Sequence, residues 1–226
     1  MQTDLSLPQA MLLLSLDTET GKTEGNFRRL AIAGATLAEL LLLETIELRC
    51  DEGLQVLPRR HYQTLGAFLK KCDAEIGREK TVHSLQDWLI RLTQLEGFIP
   101  LLGDELCERG VLSKERAARL NLLKRTAWPT VSDRLEQHLI TELSEVLFEQ
   151  KHPTEPQRLL IALSKSAGVL HHNFPVESLN ANGHHIETLV AVQSPDLSPL
   201  MQVAKVVRDV IIGASPMGRL TGSLLT

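Results

Sequence analysis

The sequence predicts a mainly α fold built round one buried helix. Three observations carry that expectation. The 226 residues hold 43 leucines against five phenylalanines, two tryptophans and one tyrosine, and leucine favours helices where aromatic and β-branched residues favour strands. The stretch 30–38, Leu-Ala-Ile-Ala-Gly-Ala-Thr-Leu-Ala, has no polar face, and a helix apolar all round is buried on all sides. Apolar residues then recur at helical spacing, as at Leu85, Trp88, Leu89 and Leu92.

The elements follow in order. Pro8 to Leu16 reads as a short helix, because Pro is tolerated in a first turn. Residues 17–22, Asp-Thr-Glu-Thr-Gly-Lys, read as a turn. Phe27 to Leu43 is the central helix, with Gly34, Leu37, Ala38 and Leu41 expected inside. Glu39 then needs a partner, since a lone buried carboxylate is costly. Residues 46–50 and 54–57 flank Asp51-Glu52-Gly53 and read as a β-hairpin closed by Pro58. Further helices are expected at 62–76, 84–94, 101–109, 130–148, 157–171, 182–193 and 198–212, eight or nine in all, with Gly110 ending one of them. Residues 111–128 read either as a helix from Ser113 or as a basic hairpin. Residues 152–156, His-Pro-Thr-Glu-Pro, read as a linker.

Composition bounds the function. The length fits one domain over 1–226, with a core at about 5–213 and a tail at 214–226. A net charge of −4 argues against a global polycation for nucleic acid. Three cysteines, Cys50, Cys72 and Cys107, with no C-x-x-C pair suggest neither a disulfide framework nor a thiolate zinc site. A cytoplasmic protein, peripheral to a membrane at most, is expected: the longest apolar run, 30–43, is 14 residues and carries Glu39, whereas a span needs about 20.

Candidate chemistries fail one part at a time. Gly21-Lys22-Thr23 lacks the glycine five positions earlier that a phosphate loop needs; Leu16 stands there. His171-His172 and His184-His185 have no nearby Asp or Glu that completes an obvious metal set, although Glu177 and Glu187 lie between and after them. Residues 213–218 are not a nucleophile elbow. No enzyme activity, metal or cofactor is expected. The charge feature with weight is 109–125, where Arg109, Lys114, Arg116, Arg119, Lys124 and Arg125 face only Glu115. A basic segment on an acidic chain suggests an anionic partner.

The order of several motifs resembles the Golgi phosphoprotein 3 family. They are 11–21 (MLLLSLDTETG), 30–43 with its Gly34 and 37–40 (LAEL) core, the hairpin, Trp88-Leu89, 106–112 (LCERGVL), 158–163 (RLLIAL) and 166–170 (SAGVL). The resemblance implies a helical-bundle core wrapped by amphipathic helices, with one or two small hairpins and no catalysis. It implies a peripheral membrane adaptor that binds phosphatidylinositol 4-phosphate and the tails of membrane glycosyltransferases. The family's headgroup arginines fall on Ala33 and near Glu96 and Ile99, and its tryptophan falls within 24–27, where Phe27 is the nearest aromatic. The expected lipid-facing residues are therefore Phe27, Arg28 and Arg29, with Arg109, Lys114, Arg116 and Arg119 adding long-range attraction. The expected binding is salt-dependent and directed at anionic bilayers in general. The alternative is a helical protein-interaction scaffold that binds no lipid. Arg28 and Arg29 are expected to tolerate change to Glu with little effect on melting temperature.

Overall fold

The computed structural model describes residues 5–16, 26–51, 53–60, 64–113, 115–116, 126–127, 132, 134–191 and 197–214. Among these the chain forms eleven helices and two small antiparallel sheets. The helices are α1 (Leu7–Ser15), α2 (Asn26–Leu42), α3 (Ala67–Arg78), α4 (Leu85–Gln94), α5 (Phe98–Glu108), α6 (Arg134–Phe148), α7 (Glu155–Ser166), α8 (Leu170–Asn173), α9 (Val176–Ala181), α10 (Gly183–Leu189) and α11 (Pro199–Ala214). The strands are β1 (Ile46–Asp51), β2 (Gly53–Pro58), β3 (His83–Ser84), β4 (Glu115–Arg116) and β5 (Thr126–Ala127).

Helix α2 is the centre, as its sequence predicts. It packs against α1, α4, α7 and α11. Ala31, Ile32, Ala33, Ala35, Leu37, Ala38 and Leu40 are fully buried. Gly34 is buried too, while Leu41 is only half-buried against the core, a correction to its expected place inside. Gly34 sets how close α11 comes: a Cβ there would lie 2.6 Å from Val207 Cγ2 and 3.2 Å from Leu163 Cδ2. The helix stops without a glycine. Glu44 takes the left-handed conformation at φ 53°, and the Thr45 N–H returns to Leu40 O at 3.0 Å.

Helix ends are closed by side chains from distant elements. Glu39 Oε2 accepts from the Leu7 N–H at the start of α1, at 2.8 Å. Glu105 on α5 accepts from the Phe68 N–H at the start of α3 (2.8 Å) and from Gln9 Nε2 on α1 (3.1 Å). Carboxylates at helix N-termini satisfy orphan donors and complement the dipole. Local caps close α4 and α7: Ser84 Oγ accepts from the Asp87 N–H, and Thr154 Oγ1 from the Gln157 N–H.

The hairpin forms as predicted, with register Ile46↔Pro58 to Asp51↔Gly53. Pro58 is its last paired residue rather than a stop beyond it. β3 adds a third strand through Gln55↔Ser84 and Val56↔His83, which the sequence does not announce. Four helix boundaries differ from expectation. α3 begins at Ala67, behind Gly66, rather than at Tyr62. α5 begins at Phe98, because Gly97 supplies the left-handed N-cap at φ 73° and Pro100 fits a first turn. α7 begins inside the expected linker, and the expected helix over 157–171 breaks into α7 and α8 at Gly168, φ 71°. The expected helix over 182–193 is the shorter α10, and α9 precedes it where no helix was expected. Between the two readings of 111–128, β4 and β5 form the hairpin, Glu115↔Ala127 and Arg116↔Thr126. The turn expected at 17–22 lies outside the described residues.

Two predictions follow from this packing. Gly34→Ala gains about 1 kcal/mol of helix propensity but forces a stiff Val207 methyl aside, an overpacking cost of about 1–3 kcal/mol. Urea titration should show net destabilisation, and Val207→Ala in the same chain should recover part of it. A stabilised Gly34→Ala would refute the close approach. For Glu39, burial raises the carboxyl above its ordinary 4.5, with the Leu7 N–H only partly offsetting it. The folded state therefore holds the proton more tightly than the unfolded chain, and stability falls as pH rises from 4.5 through the raised value. Glu39→Gln keeps an acceptor for Leu7 without the charge. Its melting temperature relative to wild type should climb between pH 4 and pH 7; a relative fall would overturn the assignment.

Candidate functional site

The expected lipid-facing residues sit where α2 begins. That end of the bundle also holds the C-termini of α1 and α4, which run antiparallel to α2, and the short α8. Arg28 donates from Nη1 to Ser15 O at 2.9 Å, closing the last turn of α1. Its Nη2 lies 2.7 Å from His172 Nε2. A guanidinium has no acceptor, so Nε2 of His172 accepts and the imidazole in this contact is neutral. Arg29 Nη2 donates to Thr93 O, closing α4. Asn173 Nδ2 donates to Leu14 O at 2.9 Å, a second link from α8 to the end of α1. Lys71 Nζ reaches Glu96 O at 2.6 Å in the turn between α4 and α5.

These contacts explain the local sequence. Successive helix residues diverge by about 100°, so adjacent arginines reach two different neighbours. Each neighbour presents a C-terminus, where orphan carbonyls and the negative end of the dipole favour a cation. The result is a basic end face around the positive end of α2, with Arg28, Arg29 and Lys71 as its cations and the His171 and His172 imidazoles beside them. The histidine rings lie 4.1 Å apart between centroids, tilted by 48°. The sequence signal for the added groups was present. Lys70-Lys71 is one of its basic pairs, and His171-His172 is the pair weighed for metal.

Of the other expected residues, Arg109 does not join this face. Phe27 is half-buried against the core rather than free to insert. Arg109, at the end of α5, donates to Gln9 Oε1 at 2.8 Å. Gln9 is six residues from Ser15 on α1, roughly 9 Å along the axis, so Arg109 marks the opposite end of that helix. Arg116 lies on β4. Lys114 and Arg119 lie outside the described residues. Of the positions where the family carries its headgroup residues, Ala33 and Ile99 are buried at 0% and 4% exposure, and Glu96 is exposed.

Burial pushes the Cys72 thiol up to about 12, so it stays protonated and unreactive at neutral pH. His185 Nε2 lies 2.9 Å from Val146 O on α6. Among the described residues no three His, Cys, Asp or Glu side chains gather to hold a metal ion. None of the described helices is long and apolar enough to cross a membrane.

A mainly α protein with a buried central helix and a cationic end face is the class these features define. The family profile described as Golgi phosphoprotein 3 (GPP34) matches residues 7–211, nearly the whole chain, and the protein belongs to that family. No curated protein matches it.

The helix-capping bonds argue against one expectation, and Arg28→Glu with Arg29→Glu should lower stability. Losing a cation at a partly buried helix C-terminus costs about 1–2 kcal/mol per site, and a carboxylate there adds repulsion. A clear drop in the urea midpoint is expected; an unchanged midpoint would mean the two bonds carry no weight.

Proposed function

We propose that the protein is a non-enzymatic peripheral membrane adaptor that meets anionic bilayers with the end of the bundle around Arg28 and Arg29. The observation that carries this reading is the gathering of five basic side chains at the mouth of α2 in a chain belonging to the Golgi phosphoprotein 3 family. Tails of membrane proteins are the clients this reading implies, and its setting is the cytoplasmic face of a membrane.

The reading favours charge over headgroup selectivity. A phosphoinositide site needs cationic donors converging on one phosphate. At the positions where the family carries its headgroup residues this chain has a buried alanine, a buried isoleucine and an exposed glutamate. Each basic residue near an anionic surface contributes about 1 kcal/mol, within a Debye length of roughly 8–10 Å. Four engaged residues supply on the order of 4 kcal/mol, near millimolar affinity, so useful binding requires several copies acting together.

Liposome sedimentation tests this. Wild type should pellet with phosphatidylserine vesicles at low salt and be released at about 0.5 M salt. A small fraction of phosphatidylinositol 4-phosphate should add no more than its charge. Arg28→Gln with Arg29→Gln, which keeps polar side chains at both helix ends, should lower the bound fraction severalfold. Binding that ignores salt and this double change would sink the electrostatic account. Absence of binding at low salt would favour the scaffold reading, which the engagement of both guanidiniums within the fold also supports.

A further inference from the structure

Helices α7, α10 and α11 leave a cleft of about 440 Å³ between them. Its floor is Ala162, Val190 and Ala204, and its rim carries Lys165, Glu187 and Arg208. The far wall is fixed in place. Arg158 donates to Leu189 O at 2.7 Å and to Ala191 O at 3.3 Å, which ties the C-terminal end of α10 to α7. Lys165 and Glu187 pair between the same two helices at 2.5 Å. The pair also borders a second hollow of about 190 Å³, lined by the apolar Leu170, Leu179 and Ile186.

Arg208 is the group the fold leaves unfinished. Among the described residues its Nη2 reaches its chain neighbour Asp209, at a long 3.4 Å, while Asp209 takes a 2.6 Å bond from Lys205. Its Nε is buried and has no partner among the described residues. A buried donor with its bond unmade is unfavourable. A guanidinium presents a planar fork that matches two oxygens of one oxyanion. Among the described residues Glu187 answers Lys165, and Asp209 is shared by Lys205 and Arg208, so one positive charge is in local excess.

The geometry points to a binding site for a small amphiphilic carboxylate, its oxygens on the Arg208 guanidinium and its hydrocarbon body over the alanine and valine floor. The volume lies within the range of small-molecule pockets and is too small for a docked helix. The three floor side chains are short, so an unbranched chain lies flat across them. The Glu187 side chain is 68% exposed and Lys165 33%, so their bond parts at little cost, and a longer body then runs on into the apolar hollow. The site involves neither Arg28 nor Arg29 and stands whether or not the protein binds bilayers.

The test is a methyl carbon–proton spectrum of the full chain titrated at constant ionic strength. Octanoate is the probe, acetate tests the charge alone and octan-1-ol the chain alone. Octanoate should shift the Ala162, Val190 and Ala204 methyls saturably, with acetate and octan-1-ol at least tenfold weaker. Arg208→Met should weaken octanoate binding tenfold or more. Ala204→Leu, which fills the floor and keeps the arginine, should weaken it similarly and covers the case in which Arg208→Met disturbs the fold. Equal binding of octan-1-ol, equal binding by either variant, shifts scattered away from the cleft, or no saturable shift would each overturn the proposal.

Discussion

The rest of the fold depends on the fact that α2 turns no side to water between residues 30 and 38. A helix buried all round must be covered by others on every side, and α1, α4, α7 and α11 do so. Gly34 removes the one side chain that would hold α11 off. Close packing round a common axis brings the ends of several helices to the same level. Their orphan N–H and C=O groups then lie beside neighbouring helices rather than beside their own chain continuation. The structure closes them across the sequence. Glu39 serves α1, Glu105 serves α3, Arg28 serves α1, Arg29 serves α4 and Arg158 serves α10. The polar side chains of the bundle therefore do two kinds of work at once, solvation outward and helix closure inward.

This division explains what could be read in advance. Periodicity is local, so α2, α4, α6 and α11 were legible within a few residues. The hairpin was legible because alternation and a glycine turn sit side by side. The start of α5 was misread because Pro100 suggests a boundary, although proline fits the first turn once Gly97 supplies the left-handed cap. The break between α7 and α8 turns on Gly168 at φ 71°, inside a run whose leucines keep helical spacing. The strand β3 is two residues long and exists only because β2 offers it an edge. The caps across the sequence were not legible at all. Glu105 and Phe68 are 37 residues apart, and nothing in either neighbourhood marks the other.

The candidate site divides in the same way. That Arg28 and Arg29 are cationic and near the start of the central helix is a property of the sequence. That they point to different helices follows from helical geometry, and that both targets are carbonyl ends follows only from the packing. Arg109 carries the same charge and sits within a family-like motif of its own, 106–112, yet its bond to Gln9 near the start of α1 puts it at the far end. His171 and His172 were weighed as metal ligands because that is what paired imidazoles suggest in isolation. Their position beside Arg28 depends on the break at Gly168, which turns α8 back toward the mouth of α2. A single misread boundary thus hid two of the five members of the face.

A guanidinium that caps a helix is not thereby withdrawn from electrostatics. Arg28 uses two N–H groups in its contacts with Ser15 and His172 out of the five a guanidinium carries, and its charge is undiminished by neutral partners. A helix C-terminus offsets about half a unit of that charge at short range, whereas a bilayer responds to the sum over the whole face. Anchoring has a further consequence. A long flexible cation loses rotamer freedom when it meets a phosphate, and a cation already held by its own fold has lost most of it beforehand. The same bonds that stabilise the end of the bundle therefore preorganise its charge. Under the proposed adaptor reading, a surface built this way favours anionic bilayers in general, because the fixed groups point along helix ends rather than converging on one headgroup.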